Sequence, residues 1–257
     1  GHSTASDELL IGASNLAKHL GLRLSMHLSP VEADVQAFLE RSGRRPVAHL
    51  AHLGVLGPHL TLTHMIRASD EEVDLLGEHR VSVVVCPQTA ARLGYGLGRH
   101  GHHPEMLAQG ANLALGADNR SAGNSLDLLR IAPLLGGLYA DGRQVAGIFN
   151  ARQTFEFLTL GGAKALGLED EIGSLAPGKR ADAVVWRSDG PEWWPHWDPI
   201  QTLIYSADGR SVEHVIAGGR LVVDSGRITQ LDLGDVYRRV EKATPDLVAR
   251  SGLASAN

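Results

Sequence analysis

Three residues in this chain stand where short apolar, β-favouring runs stop: His27 after Leu24-Ser25-Met26, His64 after Leu62-Thr63, and Asp118 after Leu115-Gly116-Ala117. Two imidazoles and a carboxylate form a borderline-hard donor set suited to zinc, with iron or manganese as alternatives. An ion held there would lower the pKa of a water to roughly 7 and supply hydroxide at neutral pH. Asp118 could both ligate the metal and accept the water's proton. A neighbouring histidine could orient the attacking oxygen or stabilise charge on the attacked carbon. Taken singly, each residue has a plainer reading. A histidine at a strand end is often only a hydrogen-bonded loop residue, and Asp118-Asn119 is ordinary turn chemistry. The joint pattern at successive strand ends favours the metal.

The elements that must position these groups read as alternating strands and helices. Apolar residues at helical spacing run from Asp7 to Leu20 and stop at Gly21. Strands follow at 22–28, 59–65, 81–86 and 112–118, and the third is apolar throughout, as a strand buried on both faces should be. Helices are expected at 31–39, 46–56 and 104–109, near 125–139 and over 152–166. Ser69-Asp70-Glu71-Glu72 fits a capping box opening another. Strands each followed by helix imply parallel pairing, and functional groups in such folds sit at the C-terminal strand ends. After Gly173 the texture changes to short strands at 182–186, 212–217 and 221–223, separated by Gly-rich turns, with a closing helix at 235–242.

Other reactive side chains are read more plainly. Cys86 is expected to be a small buried apolar group. His49, His52 and His59 are expected to face solvent, and Trp193, Trp194 and Trp197 to pack between domains. Arg99-His100-Gly101-His102-His103 holds an HxH pair in a loop on the active face. A net charge of −5 offers no basic face for nucleic acid, no apolar run approaches a membrane span, and the first four residues do not read as a leader. One cysteine excludes an intramolecular disulfide framework and fits a reducing cytoplasmic setting.

The flanking stretches extend the pattern. They include Leu-Ser-Met-His27-Leu, Leu-Thr-His64-Met-Ile-Arg-Ala-Ser-Asp-Glu-Glu-Val, Val-Val-Val-Cys86-Pro, and Leu-Gly-Ala-Asp118-Asn with Asn124-Ser-Leu-Asp127. Later come Ile172-Gly-Ser-Leu-Ala-Pro-Gly-Lys-Arg-Ala-Asp182 and Val215-Ile-Ala-Gly-Gly-Arg-Leu-Val-Val. Across nearly its whole length the chain resembles the amidohydrolase superfamily, in its branch of deaminases and chlorohydrolases acting on N-heterocycles. The resemblance implies an α/β fold: the C-terminal half of a TIM (β/α)8 barrel plus part of a small β-sandwich. Residues 1–171 would supply barrel strands five to eight, 172–234 the partial sandwich, and 235–257 a helix and tail. It implies His27 and Asp118 as metal ligands, with Asp118 also accepting a proton, and His64 as the catalytic histidine beside the hydroxide.

The resemblance also exposes departures. The family's first-strand HxH pair has no counterpart here, so the chain reads as beginning just before the fifth strand. A Glu common three residues after the fifth-strand histidine is Pro30, with Glu32 nearby. Ala117 replaces a usual Thr, and Ala90 a common polar residue. The implied function is hydrolytic deamination of an amino-substituted purine, pyrimidine or triazine-like ring. The alternatives are a dechlorinating or dealkylaminating triazine-type hydrolase, and a non-catalytic fragment or subunit. Expected partners are a small N-heterocyclic substrate and either a second copy in a homodimer or the missing N-terminal half of the barrel, with neither nucleic acid nor membrane.

Overall fold

A computed structural model describes residues 5–252; residues 1–4, the stretch read for a leader, and 253–257 of the tail lie outside the described residues. The described residues form two compact units, one of 5–179 with 189–209 and one of 180–188 with 210–252. Residues 189–209, which the sequence assigns to the β segment, thus belong to the first unit.

The first unit is built on β1 (Leu24–Leu28), β2 (Leu60–His64), β3 (Ser82–Val85) and β4 (Asn112–Leu115), hydrogen-bonded in that order and all parallel. The strands are shorter than the apolar runs. Leu22 is withheld from β1 because its amide closes the preceding helix on the Ala17 carbonyl at 2.8 Å, beside Gly21 in the left-handed cap. Burial follows sequence pattern: Leu60 and Leu62 are wholly buried, whereas β1 buries Met26 and Leu28 and exposes Ser25 and His27. Leu28, Leu50, Leu76, Met106, Leu113 and Ile131 complete the core between sheet and helices.

The capping box at Ser69 forms as its sequence demands, and Glu72 does more than cap. Its Oε2 accepts from the Ser69 amide at 3.0 Å and from Arg45 Nε at 2.9 Å. Its Oε1 accepts from the Val47 amide at 2.7 Å, tying down the first turn of the helix Pro46–His52. The carboxylate is buried and fully engaged.

Three expectations are corrected. The helix expected over 152–166 is broken at Thr159 into Ala151–Leu158 and Leu160–Leu166. The second piece lies so close to β4 that a Cβ on Gly161 would fall 2.2 Å from the Leu113 carbonyl, and Asn112 Nδ2 donates to the Gly161 carbonyl. His49 does not face solvent. It is buried with Nε2 2.8 Å from Asp7 Oδ1 and its ring edge-on to Phe38. The hydrogen bond to His49 holds the Asp7 carboxyl below its usual range. His59 is half-buried against Ser14 Oγ at 2.8 Å, while His52 is exposed as expected. Of the tryptophans only Trp193 is buried; Trp194 and Trp197 are exposed.

The second unit is an antiparallel sheet of β5 (Ala183–Trp186), β6 (Val212–Ala217), β7 (Arg220–Asp224) and β8 (Arg227–Ile228). Its two hairpin turns, Gly218-Gly219 and Ser225-Gly226, have positive φ at both central residues, as two-residue turns between twisted strands require. The closing helix runs over Leu233–Ser251, longer than expected, because it continues through Pro245. No helix among the described residues is long and apolar enough to cross a membrane.

Candidate metal centre

Parallel register brings the strand ends to one edge of the sheet. His27 pairs with Thr63, and Leu28 with His64, so the two imidazoles come from adjacent strands one step apart. His27 Nδ1 and His64 Nε2 are 3.0 Å apart, the rings tilted by 51°. His64 Nε2 is in turn 3.8 Å from Asp118 Oδ2, with both side chains nearly excluded from solvent. His64, Cys86 and Asp118 place ligand-type atoms within 4.8 Å of one another.

These spacings can be set against metal chemistry. Two donors each about 2.0–2.1 Å from one tetrahedral ion lie about 3.3 Å apart. The separations of 3.0 and 3.8 Å bracket that value. The donors around His64, with His27 on one side and Cys86 and Asp118 on the other, are of the types that hold a divalent ion such as zinc. Cys86 is the third member of the cluster with His64 and Asp118, although without an ion its thiol is held neutral. Burial, then the negative charge of Asp118, pushes its thiol up to about 12, so it is a neutral, apolar-like group at physiological pH.

The backbone pays a conformational cost at this edge that the sequence does not announce. Ser29, His64, Met65 and Asp118 all have positive φ, at 51°, 80°, 50° and 58°. Side-chain-bearing residues adopt this region reluctantly, at a cost of order 1–3 kcal/mol each, and such residues gather at functional sites. Neighbouring bonds hold them there. Met65 N donates to Leu28 O, and the amides of Ile66 and Arg67 both donate to Ser29 O. Asp118 Oδ1 accepts from the Asn119 amide at 2.7 Å, leaving Oδ2 toward His64. Gly116 allows β4 to approach, since a Cβ there would meet Val84 Cγ1 at 2.6 Å. The following loop is held by Gln88, which donates to the Gly123 carbonyl, and by Arg92, which donates to that of Ala122.

Sequence reading misses one group at the site. Tyr95 stands edge-on to His64 with centroids 5.8 Å apart. Burial, then the charges of Asp118 and Asp34, raise its phenol pKa, so the hydroxyl stays protonated beside the carboxylate. The only local signal is the pair of left-handed glycines around it, Gly94 and Gly96, which turn the chain sharply enough to project the ring.

Two sequence candidates do not join the cluster. Glu32, the nearest carboxylate in sequence to Pro30, opens the helix Glu32–Ser42 and is exposed, its Oε1 accepting from Gln36 Nε2. In the HxH loop, His102 lies 3.2 Å from Asp70, and His103 is fully buried behind His64.

Burial pushes His103 down to about 4 from 6.5. The unfolded chain therefore binds more protons than the folded chain across that window. Stability is fully present above pH 6.5 and falls as pH drops toward 4, by up to about 3 kcal/mol for this group. In a pH series of melting temperatures, His103→Gln should flatten that limb; a wild-type profile already level from pH 6.5 to 4.5 would contradict the assignment.

Known proteins resemble this chain over most of its length. The amidohydrolase family model matches residues 1–222. A 5-methylthioadenosine/S-adenosylhomocysteine deaminase of Syntrophobacter fumaroxidans is 35% identical over 92% of this chain and 53% of its own length. A 5'-deoxyadenosine deaminase of Methanopyrus kandleri is 28% identical over 96% and 56%. Among solved structures, an adenosine deaminase from Xanthomonas campestris with bound zinc superposes with a TM-score of 0.92 at 27% identity, covering 96% of this chain and 56% of that one. The atrazine chlorohydrolase of Arthrobacter aurescens TC1, complexed with zinc, shares the fold with a TM-score of 0.82 at 24% identity, over 92% and 52%. The chain spans about half the length of the curated relatives it matches. Its parallel sheet with helices and its antiparallel sheet are thus a partial barrel and a sheet unit, and the chain belongs to the amidohydrolase family.

Proposed function

We propose that this chain carries half of the active site of a metal-dependent hydrolase that deaminates an amino-substituted N-heterocycle, with adenosine derivatives as the first substrates to try. The observation that carries the reading is the placement of His64 between two other strand-end donors, 3.0 Å from His27 and 3.8 Å from Asp118. When bound, a divalent ion, zinc in the first instance and iron or manganese as alternatives, would acidify a water and supply the nucleophile at neutral pH. His27 and Asp118 would hold the ion. Asp118 Oδ2, whose partner oxygen is already engaged by the Asn119 amide, takes the proton of the attacking water. His64 orients the attacking oxygen, with the Tyr95 ring edge-on beside it. The amino-bearing carbon gains oxygen, its nitrogen takes up the proton, and ammonia leaves.

The remaining ligands would come from strands pairing on the outer edges of β1 and β4, carried in the same polypeptide or in a partner. The single cysteine of the sequence fits a reducing compartment, and we place the protein in the cytoplasm.

Pro30 favours a second reading, because no carboxylate follows His27 to protonate a ring nitrogen. A leaving group that needs less help, chloride or an alkylamine on a triazine, then becomes the substrate feature. The natural, complete protein should be assayed on 5-methylthioadenosine, S-adenosylhomocysteine, 5'-deoxyadenosine and a chlorotriazine, scoring ammonia and chloride separately. Ammonia from a nucleoside supports deamination, chloride alone supports the second reading, and neither product from any substrate overturns both.

A further inference from the structure

His64 is held from behind by a second histidine that the proposed chemistry does not use. His103 is fully buried, with Nε2 2.7 Å from the His64 carbonyl and Nδ1 against the Tyr139 hydroxyl. A carbonyl oxygen only accepts, so Nε2 must carry the ring proton. Nδ1 is then the acceptor, and the Tyr139 hydroxyl donates to it. The two neighbours together fix one tautomer, as partners of a site histidine commonly do.

The surroundings are built for this contact. A Cβ on Gly101 would lie 2.4 Å from the Tyr139 hydroxyl and 3.0 Å from His103 Nδ1, so only glycine leaves the bond room. The short helix Leu97–His100 meets the helix Leu128–Arg143 backbone to backbone: a Cβ on Gly98 would fall 1.8 Å from the Leu138 carbonyl, and one on Gly142 2.5 Å from Gly98. Arg143 closes the outer end. Its guanidinium lies 5.3 Å over the Tyr139 ring, donates to the Gly101 carbonyl at 2.7 Å, and meets Glu105 at 2.6 and 2.9 Å.

His64 is the residue that needs such support. It sits at φ 80°, and the β2–β3 ladder ends at Thr63–Val84, one residue short of it. A hydrogen bond to its carbonyl fixes the peptide plane, and with it the direction in which the imidazole leaves the chain.

We infer that Tyr139 and His103 form a positioning relay that holds the His64 backbone in its left-handed turn and thereby aims its imidazole at His27 and Asp118. Both act through His64 and touch neither metal nor substrate. The kinetic consequence rests on the deaminase reading; the positional one rests on geometry alone.

Long-range 1H–15N correlation spectra of the histidine rings, recorded on the natural, complete protein, test the relay without an assay. In the wild type, His103 should appear as a single Nε2–H tautomer. Tyr139→Phe removes only the hydroxyl and should leave His103 in mixed tautomers and shift the His64 ring signals. His103→Leu should shift the His64 signals further, whereas His103→Gln, whose amide can donate to the same carbonyl, should leave them close to wild type. Where activity is present, His103→Leu should lower kcat by about 10- to 100-fold with KM within about threefold, and His103→Gln should recover most of that loss. Unmoved His64 signals in a cooperatively melting His103→Leu variant would overturn the inference, as would a His103→Gln variant as impaired as His103→Leu. If His103→Leu does not fold, the Tyr139→Phe spectra decide. A wild type that releases no ammonia sinks the functional reading while the spectra still judge the relay.

Discussion

Asn in place of Asp118 is expected to lower the rate of ammonia release by at least about 10³-fold while leaving the protein folded. The size of the effect follows from what one atom does. Oδ1 accepts from the Asn119 amide, a bond an amide oxygen can keep. Oδ2 faces His64 at 3.8 Å, and there Asn offers an NH2, which neither accepts a proton nor carries the negative charge that attracts a cation. The backbone should not object, since Asn tolerates the left-handed φ of 58° about as well as Asp. A loss of rate with an unchanged melting curve therefore separates chemistry from folding. Activity within tenfold of wild type would remove Asp118 from the centre of the mechanism.

Glu72→Ala should destabilise the first unit by about 3–5 kcal/mol, lowering the melting temperature by roughly 10 °C. Glu72 is 1% exposed, and its carboxylate serves three donors: the Ser69 amide, Arg45 Nε and the Val47 amide. Removing it leaves buried donors with no acceptor, which costs more than the bonds themselves are worth. Glu72→Gln, which keeps an acceptor but not the charge opposite Arg45, should fall between the two. A shift under about 1 kcal/mol for the alanine variant, measured by thermal or urea unfolding, would mean that water replaces the carboxylate in place.

What the sequence made legible was set by periodicity. The apolar runs ending at His27, His64 and Asp118 locate the strand ends because burial on a sheet face leaves a pattern of period two, or an unbroken apolar run. Capping chemistry located helix starts, as at Ser69. Groups whose environment is made by distant segments were harder to read. His49 looks like a surface residue on a short helix until Asp7, far away in sequence, supplies its partner. The break at Thr159 comes just before Gly161-Gly162, the first of which packs against β4. At the site, positive φ at His64 and Asp118 has no compositional marker, because neither residue is glycine. Tyr95 and His103 reach His64 only through tertiary packing. The HxH pair of the loop is His100 and His102, but it is the adjacent His103 that the structure uses to hold a backbone carbonyl.

The most direct test of the account is zinc content coupled to binding. The natural, complete protein, stripped with a chelator and titrated with zinc, should take up about one ion per protomer with activity returning in parallel, and His27→Ala and Asp118→Ala should each lose that uptake while remaining folded. A complete protein that binds no divalent metal, or binds it equally well without His27 and Asp118, would contradict the assignment of these strand ends as a metal centre.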